Sequence, residues 1–124
     1  MSPLLIAAGL AGFISVALGA FGAHGLEGRL TAAGSEWWAT ATLYALVHSA
    51  AALACALAAR QGARGLAAPG WAFIIGTLVF AGTLYSMALG APRWLGAVTP
   101  VGGVLLLVGW GLTVAAGLRP PPRA

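Results

Sequence analysis

Four long apolar stretches fill most of this chain, at about Pro3–Ala23, Trp37–Ala59, Pro69–Gly90 and Thr99–Leu118, and every charged residue lies between or beyond them. Each comes close to the roughly 20 residues a helix needs to cross a hydrocarbon core about 30 Å thick. The pattern predicts an all-α integral membrane four-helix bundle, antiparallel and up-down-up-down. With four spans in 124 residues there is no room for a second unit, so residues 1–124 read as a single transmembrane domain. Small residues around Ala20–Ala23 resemble a signal-peptide cleavage site. The segment before them carries no Lys or Arg and the apolar run is long for such a signal, so a retained helix is expected.

Charge fits the same picture. Only 6% of residues are charged, against about 25% in soluble domains. The net charge of +4 comes from six arginines set against Glu27 and Glu36. Those arginines are scattered at span ends, where they anchor helices and meet anionic lipid, so a nucleic-acid partner is rejected and membrane lipid is expected. Four spans put both termini and the middle loop on one side, with Arg60, Arg64, Arg119 and Arg123; the other side has Arg29 and Arg93 with both glutamates. The positive-inside bias then predicts cytoplasmic termini. The tail Arg119-Pro120-Pro121-Pro122-Arg123 cannot prolong the last helix and reads as a short solvated end.

Lipid tails do not drive helices together, so close backbone approach at small residues must do so. The first span offers Ala8, Gly12, Ser15, Gly19 and Gly22; the second offers Ala41, Ala45, His48, Ala52, Cys55 and Ala59. The third offers Gly82, Ser86 and Gly90, and the fourth Gly102, Gly109 and Ala116. Cys55, the single cysteine, reads as a small packing residue. The glycine-rich surface also makes a homo-oligomer plausible. Thr99-Pro100 reads as an N-cap followed by proline at the first helical position, and Pro69 as a similar opening. Trp37, Trp38, Trp71, Trp94 and Tyr85 fall near span ends as interfacial aromatics, while Trp110 lies deeper, as packing between helices.

Polar residues inside the spans need a reason to be there. Thr40, Tyr44 and His48 form one stripe at i, i+4 and i+8. His48 should lie about 16 Å below Trp37, near the midplane. Tyr44 and Tyr85 could share a layer about 10 and 7 Å from the outer end. A polar funnel is therefore expected, lined by Thr40, Tyr44, Tyr85 and Ser86 and floored by His48. An imidazole at that depth is either a structural hydrogen-bonding group or a ligand or proton site.

Named chemistries fail on spacing, and no cofactor or metal is expected. Bis-histidine haem ligation is excluded because His24 and His48 differ in depth by more than about 10 Å. One cysteine with two separated histidines does not make a zinc site. Both glutamates fall in the first outer loop, and no nucleophile elbow or phosphate loop is present, which leaves an enzyme least supported.

Several segments together resemble the YgdD-type family of small multi-pass membrane proteins, a domain of unknown function with a human relative, transmembrane protein 256. They are Gly19-Ala20-Phe21-Gly22-Ala23-His24-Gly25-Leu26, Tyr44 with His48, Phe80-Ala81-Gly82-Thr83-Leu84-Tyr85, Thr99-Pro100-Val101-Gly102-Gly103, and Gly109-Trp110. Ala81 and Thr83 stand where the family has serines; Thr83 keeps a hydroxyl and Ala81 does not. The resemblance implies a bacterial plasma-membrane protein and no particular reaction. In the expected topology its motifs bring His24, Thr99 and Tyr85 to one outer mouth. Two readings follow: a non-enzymatic membrane component, or a binder or transporter of a small polar or amphipathic ligand or proton above His48.

Overall fold

A computed structural model describes residues 1–121 and 123. Its long elements are α1 (Pro3–His24), α2 (Ala32–Arg60), α3 (Ala67–Ala88) and α4 (Thr99–Gly117), with a 3₁₀ turn at Arg93–Ala97 leading into α4. All four are long and apolar enough to cross a membrane, and among the described residues there is no strand. Pro122, in the tail expected to be solvated, lies outside the described residues.

Caps set the helix ends. Ser2 Oγ accepts the Leu5 N–H at 3.3 Å, with Pro3 at the first helical position. Thr31 Oγ1 accepts the Gly34 N–H at 3.0 Å. That cap starts α2 at Ala32, five residues before the expected Trp37. Hydropathy marks where lipid begins, whereas a helix begins at its cap. The α2 and α3 C-termini share one device. Gly62 (φ 91°) and Gly90 (φ 100°) take the left-handed conformation, and the next residue's N–H reaches back to Ala58 and Ser86, at 3.0 and 2.9 Å. Thr99 does not cap α4 as expected. The 3₁₀ turn runs straight into the helix, so the Thr99 hydroxyl is already inside it, donating to the Leu95 carbonyl at 3.2 Å.

The α2–α3 pair forms the centre, with α1 packed mainly on α2 and α4 packed on α3. The expected α2 seam is buried at Ala41, Ala45, His48, Ala52 and Cys55. The α4 seam holds at Gly102 and Gly109, with Leu106 between them. A Cβ on Gly102 would fall on the backbone nitrogen of Phe80, and one on Gly109 would lie 2.6 Å from the Phe73 ring. These glycines let α4 meet α3 at the Phe80 backbone and at the Phe73 ring.

Two expected seams change. On α3 the buried face is Gly70, Phe73, Thr77, Ala81 and Leu84, while Ser86 and Gly90 are exposed and Gly82 has nothing within 4 Å of a Cβ. On α1, Ala8 and Ser15 are buried and Gly19 and Gly22 meet α2, but Gly12 is open. Trp38 is not interfacial: it is only 5% exposed. Without a side chain at Gly22, the second lone pair of the Leu18 carbonyl stays open, and the indole Nε1–H donates to it at 2.9 Å.

Candidate functional site

His48 faces α4 from the middle of α2 and is 6% exposed. Its Nδ1 lies 2.7 Å from the Tyr44 carbonyl, one turn back on the same helix. Its Nε2 accepts the Trp110 indole N–H at 3.0 Å. Indole nitrogen only donates, so Nε2 is the acceptor and the ring proton is on Nδ1. The neutral tautomer is thereby fixed by its partners. Three aromatic rings enclose the imidazole. Tyr44 stacks at 5.8 Å and 18°, Phe73 tilts at 5.6 Å, and Trp110 sits edge-on at 5.9 Å. Phe73 and Trp110 also meet each other at 4.9 Å. Neither imidazole nitrogen is left open in this cage.

The remaining expected residues separate into different places. Tyr85 turns to the α1 side of the molecule, 2.7 Å from the Thr42 hydroxyl and edge-on to Trp38 at 4.5 Å. Thr99 joins α4 to α3, its hydroxyl 2.6 Å from that of Thr83. Ser86 is exposed and donates to the Gly82 carbonyl at 2.7 Å. Thr40 and His24 are exposed, and Tyr44 is 40% exposed. The stripe on α2 exists, but only its deep end is enclosed. The structure brings Tyr44 and His48 together and does not gather His24, Thr40, Tyr85, Ser86 and Thr99 around them. The helix rotations explain this: Tyr85 and Tyr44 share a layer yet lie on opposite sides of the α2–α3 pair. Among the described residues, no group of three His, Cys, Asp or Glu side chains could hold a metal ion.

Sequence reasoning missed two partners, Thr42 and the indole donor of Trp110, and the buried, unpartnered hydroxyl of Thr77. Thr42 follows Trp38 by one helical turn, and Thr77 follows Phe73 by one turn on the same buried face. Those spacings were readable as faces, though not as contacts.

Four apolar helices with an inward-facing imidazole and few charges define an α-helical multi-pass membrane protein. The chain belongs to the family described as "Protein of unknown function (DUF423)", which matches residues 18–103. It is 39% identical over 119 residues to the UPF0382 membrane protein SERP0230 of Staphylococcus epidermidis, covering 96% of this chain and 98% of the relative. It is 42% identical over 101 residues to a UPF0382 membrane protein of Haemophilus influenzae, covering 82% of each. The UPF0382 inner membrane protein YgdD of Escherichia coli is 40% identical over 117 residues, covering 94% of this chain and 89% of its own length. No solved structure matches the chain.

Proposed function

We propose that this chain is a non-enzymatic component of the bacterial plasma membrane, a lipid-embedded helix bundle whose polar side chains hold the helices in register. The observation that carries this reading is the double engagement of His48, by the Tyr44 carbonyl and by Trp110. A proton carrier or ligand-binding imidazole needs a lone pair open to its cargo, and this one is covered by an indole. The name of the E. coli relative supports the compartment.

Residues 1–124 act in this reading as one unit with antiparallel spans. Its support is the pairing of late α1 with early α2 (Gly22 with Trp38, Gly19 with Thr42) and of late α3 with early α4 (Phe80 with Gly102). Both termini are cytoplasmic, with Arg60, Arg64, Arg119 and Arg123 on that face. A reporter fused after Arg123 should be active in the cytoplasm; activity on the outer face overturns the orientation. Lipid is the surrounding partner, and self-association would use the open glycine faces.

The functional reading is tested with His48→Leu and Trp110→Phe in purified protein. Both should unfold at lower temperature in detergent, and liposomes carrying either variant should show the same proton leak as wild type. Wild-type proton flux that His48→Leu abolishes at unchanged thermal stability would replace this reading with transport.

A further inference from the structure

Where α4 ends beside the loop joining α2 to α3 lies a groove of about 1110 Å³, whose lining includes Arg64, Leu66, Thr113, Ala116, Arg119 and Arg123. The three arginines are exposed, and Leu66, Thr113 and Ala116 are half-buried beneath them. Gly65 positions one guanidinium. It takes the left-handed conformation (φ 79°), and a Cβ there would lie 2.6 Å from a guanidinium nitrogen of Arg119. The bare backbone lets Arg119 fold over the loop at the residue that follows Arg64. No carboxylate side chain comes near. Glu36 lies 24 residues before Arg60 on α2, about 36 Å along the axis, and Glu27 precedes the helix. Helix dipoles do not set the charge either: α3 begins here and α4 ends here, with opposite partial charges.

Depth decides what meets these guanidiniums. The 22 residues of α3 span about 33 Å, slightly more than a hydrocarbon core of about 30 Å. Arg64 precedes α3 by three residues and Arg119 follows α4 by two, so both stand at the level of the lipid phosphates. A guanidinium offers a planar fork of donors that matches phosphate oxygens, and basic pockets at helix ends suit anionic headgroups. A zwitterionic headgroup would bring its ammonium into a groove whose lining has no carboxylate side chain, so a lipid of net negative charge is selected. We infer that this groove binds an anionic phospholipid, its phosphate held between Arg64 and Arg119, with Arg123 adding charge from the tail. Leu66 and Ala116 then receive the glycerol and the first methylenes. The inference rests on the lipid-embedded reading above and not on His48, whose proton-flux test is a separate readout.

The test is native mass spectrometry of the full chain released from nanodiscs holding equal amounts of dioleoyl-phosphatidylglycerol and dioleoyl-phosphatidylcholine. Wild type should keep one phosphatidylglycerol and no phosphatidylcholine. Arg64→Gln and Arg119→Gln should each lower that retention about five-fold, and the double variant should abolish it. Arg60→Gln is the control. It removes the same charge near the same loop, but Arg60 lines a different pocket, with Leu4 and Trp71, so retention should match wild type. Each of these arginines is exposed, so in detergent free of phospholipid all variants should unfold at the wild-type temperature. Glycerol 3-phosphate, which has the phosphate without the chains, should not be retained. Four results overturn the proposal: equal retention of the two lipids, unchanged retention by the double variant, an equal loss in Arg60→Gln, or retention of glycerol 3-phosphate. The third would make the attraction a property of the whole basic face, and the fourth would make the groove a site for soluble phosphate.

Discussion

The two sides of the α2–α3 pair are built on opposite terms. Toward α4, glycines at 76, 102 and 109 remove the side chains that would keep the helices apart, and Leu106 and Phe73 fill the seam. Toward α1, packing follows α2, from the buried Ala8 and Ser15 to Gly19 on Thr42 and Trp38 in the notch at Gly22, while α3 is met at Leu4 against Gly70. Between α1 and α3 a slot of about 310 Å³ stays open. Both sides use the same few residue types, so composition does not separate them. What differs is that glycines face bulky neighbours all along the α3–α4 seam, whereas between α1 and α3 only Gly70 does. The α4 side is a continuous surface match, and the α1 side is matched along α2 but left open against α3.

The sharpest way to break this contrast is to add a methyl-bearing side chain to each side. Gly102→Val should be the most damaging single change, at about 3 kcal/mol, because its clash is with Phe80 backbone rather than a movable side chain. Gly12→Val on α1, with nothing within 4 Å, should move unfolding in mixed micelles by less than about 0.5 kcal/mol. Equal losses at the two sites would erase the distinction.

Next in size are the polar pins. Trp110→Phe leaves Nε2 of His48 without a donor and should lower stability by about 0.6 to 1.7 kcal/mol, measured by denaturant unfolding in the same micelles. Trp38→Phe keeps most of the ring in its notch and loses the bond to the Leu18 carbonyl, so about 0.6 kcal/mol is expected. Cysteine crosslinking between α1 and α2 should then show α1 separating before α4 does. Smallest of all, Ser86→Ala removes an exposed hydroxyl that bonds only its own helix, and should change stability by less than about 0.5 kcal/mol.

Much of the fold could be read from the chain because membrane helices announce themselves by length and apolarity. The α2 seam was readable too, since Ala41, Ala45, Ala52 and Cys55 are small on one face and large on the others. Spacing misled on α3, where small residues recur on two faces: Gly70 and Gly76 pack, while Gly82 and Gly90 do not. Periodicity finds a face without saying what lies against it. The same limit dispersed the expected funnel. Depth along each helix placed Tyr44 and Tyr85 in one layer, but each residue turns the helix by about 100°. Rotation, set by packing elsewhere, sent Tyr85 to Trp38 and brought Trp110 to His48. Trp38 was misread for a related reason. A tryptophan near a span end is usually an anchor at the lipid surface, and only the missing side chain at Gly22 makes an internal acceptor available.

Trp110 follows His48 by 62 residues, and chains assemble from the N-terminus as they are made. While α1, α2 and α3 settle, the imidazole waits in hydrocarbon with an uncapped nitrogen, and only the last helix to emerge brings the missing donor. A chain stopped short of α4 therefore differs from a finished one, at mid-depth, by a single bare acceptor.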